Sequence, residues 1–159
     1  CMENKNIICP VFFKPAVIGH KSVYFSVPGT PVAKQRPRAT RKGRFVQVYT
    51  PKETKMYEKK VEKCYKELYT RVDKLKGSLS AEIEGVFAPP ISISNKKREE
   101  MLDNKVPHTK KPDCDNLGKT PLDGLNGIAY DDDSQITNLS VSKRFGKESK
   151  LNITIWENS

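Results

Sequence analysis

The chain has 159 residues and a formal net charge of +10, from 29 Lys and Arg against 19 Asp and Glu. This length suits one domain with one core. The four cysteines have no paired short spacing, which excludes a zinc ribbon or small disulfide scaffold and favours a reducing compartment. The apolar stretches at 7–13 and 16–19 are too short to span a bilayer, so we expect a cytoplasmic protein without a membrane segment.

The charge is unevenly distributed along the chain. Residues 30–76 contain fifteen Lys or Arg and five Asp or Glu, a surplus of ten that equals the whole net charge. Residues 113–133 contain six aspartates and one lysine. A basic region therefore precedes an acidic one, and the basic region predicts attraction to a polyanion.

Two short strands are predicted in the basic region, at 22–27 and 44–49. The loop at 29–38 between them is rich in Pro and Arg. We expect the two strands to form a hairpin with a long basic tip.

A helix is predicted after the second strand. Its start is marked by Thr50 as N-cap, Pro51 in the first turn and Glu53 three residues after the cap. Apolar residues then recur at the three-and-four spacing of one buried helical face. They are Tyr57, Val61, Cys64, Tyr65, Leu68 and Val72.

The second half of the chain predicts more strands around a polar excursion. Leu79, Ala81 and Ile83 alternate with polar residues, as in a strand with one wet face. Residues 89–112 are polar and proline-marked, with a short helix expected at 95–103. Residues 135–145 and 151–156 resemble a hairpin around Gly146.

The acidic residues carry the candidate chemistry. Asp113 and Asp115 lie two residues apart, directly after Pro112, which favours an extended backbone. Alternate residues of an extended chain point to the same side, so the two carboxylates can share a cation. Asp115 is the expected N-cap of a helix that places Lys119 one turn further on the same face. The run 131–133 precedes a strand and can return a third carboxylate to the pair. Oxygen ligands without His or Cys favour Mg²⁺ or Mn²⁺.

Several structural interpretations stay open at this point. Aspartates are favoured as helix caps and turn formers, and a lysine-rich helix can be a solvated face. An EF-hand is disfavoured, because Leu117 takes the fifth ligand position and Gly124 stands where a bidentate Glu belongs. His108 is expected to be a loop or DNA-contacting residue, since no second histidine is near it in sequence.

Three spaced motifs resemble the signature of the RusA family of Holliday-junction resolvases. They are KPDCDNLGK at 111–119, DGLNG at 123–127 and DDSQI at 132–136, and the similarity extends upstream to GTPVAKQRPR at 29–38. The resemblance implies a single compact α+β domain, a mixed sheet packed on helices, and a homodimer. It also implies a magnesium-dependent endonuclease, often encoded by phages or prophages of bacteria, that nicks opposed strands of four-way junction DNA.

By motif position, the resemblance assigns catalysis to Asp113, Asp115, Asp133 and Lys119. The same three aspartates are the expected metal ligands, with Asp132 as an auxiliary ligand and Asp131 outside the pattern. Mn²⁺ is a plausible substitute for Mg²⁺. We expect phosphate contacts from the basic residues around these motifs. They are Lys34, Arg36, Arg38, Arg41, Lys42 and Lys111.

Two features depart from the family pattern. Pro121 would kink the helix after the first motif, or the helix would restart with Thr120 as cap, which would leave Lys119 at the end of a tight turn. Residues 1–20 have no recognisable counterpart, so we expect a flexible N-terminal extension before a RusA-like domain at 21–159. The competing functions are a basic DNA-binding dimer without catalysis and a less specific metal-dependent nuclease acting on flaps or RNA.

Overall fold

The computed structural model describes residues 21–158, so the predicted N-terminal extension lies outside the described residues. It has an α+β fold, as expected from the sequence. The six strands are β1 (Ser22–Pro28), β2 (Arg38–Lys42), β3 (Phe45–Tyr49), β4 (Leu79–Phe87), β5 (Ile136–Phe145) and β6 (Lys150–Glu157). The helices are α1 (Lys52–Leu68), α2 (Asn95–Leu102) and α3 (Cys114–Leu125), with a short 3₁₀ helix at Asp133–Gln135. Over this part of the chain, no helix is long and apolar enough to cross a membrane.

Neither of the two predicted hairpins forms, because the strands pair with other partners. Strand β3 pairs with β2, which begins where the predicted loop 29–38 ends, and not with β1, whose partner is β6. The main sheet has the order β1-β6-β4-β5, with β5 parallel to β4 and β6 antiparallel to it. The sheet is therefore mixed, as expected. The physical reason for the error is that β4 lies between β5 and β6, and local turn signals do not reveal a distant strand.

Helix α1 covers one face of the sheet. Its N-cap is Pro51 and not Thr50. The predicted stripe is buried through Tyr57, Val61 and Tyr65, but Leu68 ends the helix exposed, and the exposed Val72 lies beyond it. The stripe ends early because the chain turns at Tyr69, whose hydroxyl accepts from the N–H of Tyr24 at 2.9 Å and donates to its carbonyl at 2.8 Å.

Helix α3 lies between α1 and β5. Gly124 abuts the backbone of Glu58, where an added Cβ would lie 2.8 Å from the Glu58 carbonyl oxygen. Gly118 faces β5, where an added Cβ would lie 2.8 Å from a methyl of Val141. Leu117 is fully buried in the core beneath. Because α3 carries the first acidic motif, these close contacts fix where that motif lies.

Candidate active site

The first acidic motif forms the start of α3. Asp113 is the N-cap, with extended backbone (φ −71°, ψ 146°), and Asp115 lies in the first helical turn. The prediction of Asp115 as N-cap is therefore wrong, and so is the extended arrangement of the two carboxylates. The extended backbone favoured by Pro112 ends at Asp113, two residues earlier than expected, so Asp115 is helical and the alternation of an extended strand does not apply to the pair.

The side chains of Asp113, Asp115 and Lys119 are exposed. Asp113 makes no side-chain capping hydrogen bond, although its backbone carbonyl accepts the Leu117 N–H at 2.9 Å. Within residues 21–158, neither Asp113, Asp115 nor Lys119 has an ion-pair partner. Lys119 lies four residues beyond Asp115 on the exposed side of the same helix, so an ammonium stands one turn from the carboxylate. Asp113 occupies the N-cap position, but its carboxylate does not form the capping hydrogen bond that would explain its presence there.

Pro121 is accommodated inside α3 without a new helix start. The helix is continuous from Cys114 to Leu125, and Pro121 is buried within it. Thr120 is buried and its hydroxyl donates back to the Asn116 carbonyl at 3.5 Å. The predicted restart with Thr120 as cap is therefore wrong, and Lys119 lies inside the helix and not at the end of a tight turn.

The second acidic motif has a partly structural explanation. Asp131 pairs with Lys74 at 3.1 Å on the surface. Asp132 caps the 3₁₀ helix by accepting the Ser134 N–H at 3.0 Å, and Gln135 Oε1 accepts the N–H groups of Asp131 and Asp132 at 2.9 and 3.1 Å. This is a capping box, so the third residue, Asp133, is the one whose carboxylate has no such task.

Asp133 lies in a negative environment. Its pKa is raised above the ordinary value, first by the hydrogen bond with Asp132 and also by the charges of Asp132 and Asp123. The pKa of Asp132 is lowered, mainly by the backbone hydrogen bond from Ser134. Burial raises the pKa of Tyr130, and Asp133, Asp123 and Asp132 add to that rise. Three carboxylates therefore act on one another around Tyr130.

Lys34 joins the basic segment to both helices. Its Nζ contacts Asp123 Oδ2 at 2.7 Å and Glu58 Oε1 at 2.8 Å, and its backbone N–H donates to the Asn116 carbonyl at 2.9 Å. Burial lowers the pKa of Lys34, but the hydrogen bonds to Asp123 and Glu58 outweigh this and raise it overall. A lysine predicted to hold phosphate thus ties α1 to α3 in the free protein.

Sequence reasoning missed Glu58 and did not assign Asp123 to the site. Asp123 stands in the second quoted motif, so a signal for it was present in the sequence. Glu58 had none, because it lies on α1 and meets Lys34 only through the fold.

The other predicted phosphate contacts lie on the surface. Arg38, Arg41 and Lys42 lie on the exposed hairpin of β2 and β3, Arg36 lies just before it, and Lys111 lies in the loop before α3. His108 lies in a loop, the first of its two expected roles. Its ring packs between those of Phe87 and Phe145 in tilted contacts, at centroid distances of 4.4 and 4.8 Å, and anchors the loop that leads to α3.

The donor chemistry fits a hard divalent cation, although the complete ligand set is not assembled. Among residues 21–158, no three His, Cys, Asp or Glu side chains converge closely enough to hold a metal. Asp132 and Asp133 are adjacent exposed oxygen donors, and a bound cation would offset the repulsion between their two negative charges. Asp113 and Asp115 are exposed oxygen donors as well. The three-aspartate ligand set stays a prediction.

Comparison with known proteins identifies relatives over most of the chain. The model of the family described as endodeoxyribonuclease RusA matches residues 28–156. A curated relative, described as uncharacterized protein YqaN of Bacillus subtilis strain 168, is 32% identical over 137 residues. That alignment covers 85% of this chain and 96% of the relative. The matched region contains all the candidate site residues.

Proposed function

The chain belongs to the RusA endodeoxyribonuclease family, and on that premise we propose that it resolves four-way DNA junctions by paired, symmetric nicks. The proposed enzyme is a magnesium-dependent homodimer acting in recombination and repair, in the cytoplasm of a bacterial cell as a host, phage or prophage protein. The observation that carries the proposal is the exposed start of α3. There, Asp113, Asp115 and Lys119 stand free of ion pairs within residues 21–158, beside a strongly basic segment.

In the proposed site, Asp113, Asp115 and Asp133 would hold the magnesium ion, with Asp132 auxiliary. When bound, the ion supplies a Lewis acid for the scissile phosphate and lowers the pKa of the attacking water. Mn²⁺ would substitute, because it also prefers oxygen ligands.

The remaining roles belong to cationic side chains of this chain. Lys119 donates hydrogen bonds from its ammonium to the phosphate or to the departing 3′ oxygen as negative charge develops there. Arg36, Arg38, Arg41, Lys42 and Lys111 contact the phosphate backbone and contribute affinity more than sequence choice. Lys34 contributes indirectly, by holding Asp123 and Glu58 and so fixing α3 against α1.

The competing functions differ in what they cut. A four-way junction, a flap, a linear duplex and an RNA duplex of equal length are incubated with the protein in Mg²⁺, Ca²⁺ or EDTA. We expect symmetric nicks in the junction with Mg²⁺ only. Binding to the junction without nicking under any condition would favour the non-catalytic DNA-binding dimer. Comparable cutting of flaps or RNA would favour the less specific nuclease.

A further inference from the structure

The hairpin of β2 and β3 projects with both of its faces exposed. Every residue of the two strands is exposed, including the large apolar side chains Phe45, Val46 and Val48 at 80%, 67% and 65%. An isolated two-stranded hairpin is only marginally stable in water, and natural proteins rarely leave such apolar surface uncovered without a partner.

The two faces of the hairpin differ in chemistry. In the β2–β3 register, Lys42 lies opposite Phe45 and Arg38 lies opposite Tyr49. Because alternate residues share a face, these two aromatic rings and two cations lie on one side. The other side carries Ala39, Val46 and Val48 beside Arg41. We call the first side the aromatic face and the second the aliphatic face.

The partner of the aromatic face is identified by charge. The segment 38–49 has four cations, Arg38, Arg41, Lys42 and Arg44, and no acidic residue. Such an arm repels a second copy of itself and attracts a polyanion. Aromatic rings next to cations are the combination with which proteins bind unpaired nucleic acid, the cations following the backbone and the rings stacking on bases.

The root of the hairpin lies beside the start of α3. The Lys34 N–H donates to the Asn116 carbonyl at 2.9 Å, and Asn116 directly follows Asp115. Only four residues lead from Lys34 to Arg38, which span at most about 14 Å. The end of the aromatic face formed by Arg38 and Tyr49 therefore lies near the start of α3, and Phe45 lies at the far end of the hairpin.

We propose that the aromatic face is a binding site for unpaired DNA bases, in which Phe45 and Tyr49 stack on bases freed at the branch point. This inference rests on the proposed function for its biological setting and extends it, because it supplies a physical reason for preferring a junction over a continuous duplex. Phosphate contacts follow the arrangement of the arms, whereas stacking detects bases that a continuous duplex keeps paired.

The test compares the two faces of the same hairpin in EDTA, so that no cleavage interferes. Binding is measured to a fluorescent 20-nucleotide oligothymidine and to a linear duplex. Phe45→Ala and Tyr49→Ala are each expected to weaken oligothymidine binding by about five- to hundredfold, the usual range for loss of one stacked base. Phe45→Trp should restore it. Val46→Ser, also at an exposed position but on the aliphatic face, is the matched control and should stay near wild type.

A junction with 2-aminopurine at the branch point supplies the second readout. Wild-type protein and Phe45→Trp should change its fluorescence on binding, and Phe45→Ala should not. The inference is overturned if Val46→Ser weakens oligothymidine binding as much as Phe45→Ala does, or if Phe45→Ala weakens duplex binding equally. It is also overturned if Phe45→Ala changes the light-scattering mass while oligothymidine affinity is kept, because the ring is then a subunit contact.

These outcomes are separate from those of the proposed function. A protein that binds oligothymidine through Phe45 but never nicks a junction contradicts the resolvase proposal and leaves the base-stacking site standing. If the Phe45→Ala variant nicks junctions normally and its oligothymidine binding is unchanged, only the base-stacking site is contradicted.

Discussion

At the scale of single residues, the aspartates of this chain divide into different tasks. Asp131 forms a surface ion pair and Asp132 a helix cap, so these two are accounted for by local structure. Among residues 21–158, the side chains of Asp113 and Asp115 form no ion pair and no capping hydrogen bond, and Asp132 and Asp123 raise the pKa of Asp133. Exposed carboxylates without these local partners, and a carboxylate among like charges, are the candidates for metal binding.

Lys119 and Arg36 are predicted to affect different steps. Lys119→Ala removes a preorganised donor to developing charge, so turnover should fall roughly a hundredfold or more while junction affinity changes little. Arg36→Ala should weaken binding and leave the rate at saturation nearly unchanged. Single-turnover nicking and binding titrations separate the two effects. If Lys119→Ala lost affinity but kept its rate, this lysine would belong with the phosphate contacts.

His108 is predicted to make stability depend on pH. Burial lowers its pKa below the usual value of 6.5, and Lys143 and Lys110 lower it further. The unfolded chain therefore binds a proton at His108 more readily than the folded chain does. The neutral, packed His108 contributes its full stability above about pH 6.5, and this contribution is lost as the pH falls below that value. The free energy of unfolding in urea is measured for wild type and His108→Phe at pH 7.5 and pH 5. It should fall less between the two pH values for the variant than for wild type. Equal losses would mean that the stacked ring does not titrate as described.

At the scale of elements, local signals predicted the helices better than the pairing of strands. The periodicity of Tyr57, Val61 and Tyr65 and the range of α2 are properties of short segments, and they are found where expected. The pairings β1–β6 and β4–β5 join segments far apart in sequence, which no turn signal specifies. The contact of Lys34 with Glu58 and Asp123 was hidden for the same reason.

The packing of α3 gives a comparison between two glycines of one helix. Gly118→Ala and Gly124→Ala gain the same helix propensity, about 1 kcal/mol. At Gly118 the new methyl meets a side-chain methyl of Val141, which can move, whereas at Gly124 it meets the backbone of Glu58, which cannot move without shifting α1. Denaturant unfolding should therefore show Gly124→Ala to be less stable than Gly118→Ala by about 1–3 kcal/mol. Equal stabilities would show that the α1–α3 contact is looser than described.

At the scale of the whole molecule, resolution of a junction needs two matched incisions, whereas each chain carries one acidic site. A two-fold dimer would present one site to each of two opposed strands. Such a dimer would also double the basic surplus of residues 30–76 on the DNA. Light scattering under cleavage conditions should therefore give twice the mass of the chain, and a monomer would contradict paired incision.

Salt dependence is predicted to follow from the same charge. If the dimer covers about six to ten phosphates, its affinity should fall by roughly three to five decades between about 50 and 200 mM salt. The preference for a junction over a duplex of equal length should persist at the higher salt, because shape and unpaired bases are not screened as charge is. Titrations of both substrates over this range test the prediction, and a preference that vanished with salt would show that charge alone selects the substrate.

The claim that the three aspartates form the catalytic site is tested most directly by junction nicking with their isosteric variants. Asp113→Asn, Asp115→Asn and Asp133→Asn each keep the size of the side chain and remove a ligand charge. Each should lower the nicking rate by orders of magnitude in Mg²⁺ and leave junction binding intact or tighter, because less charge opposes the phosphate. Asp131→Asn, at the surface ion pair with Lys74, is the control and should nick at the wild-type rate. Normal nicking by Asp113→Asn or Asp115→Asn would contradict the account, and normal nicking by Asp133→Asn with a dead Asp132→Asn would show that the third ligand is wrongly assigned.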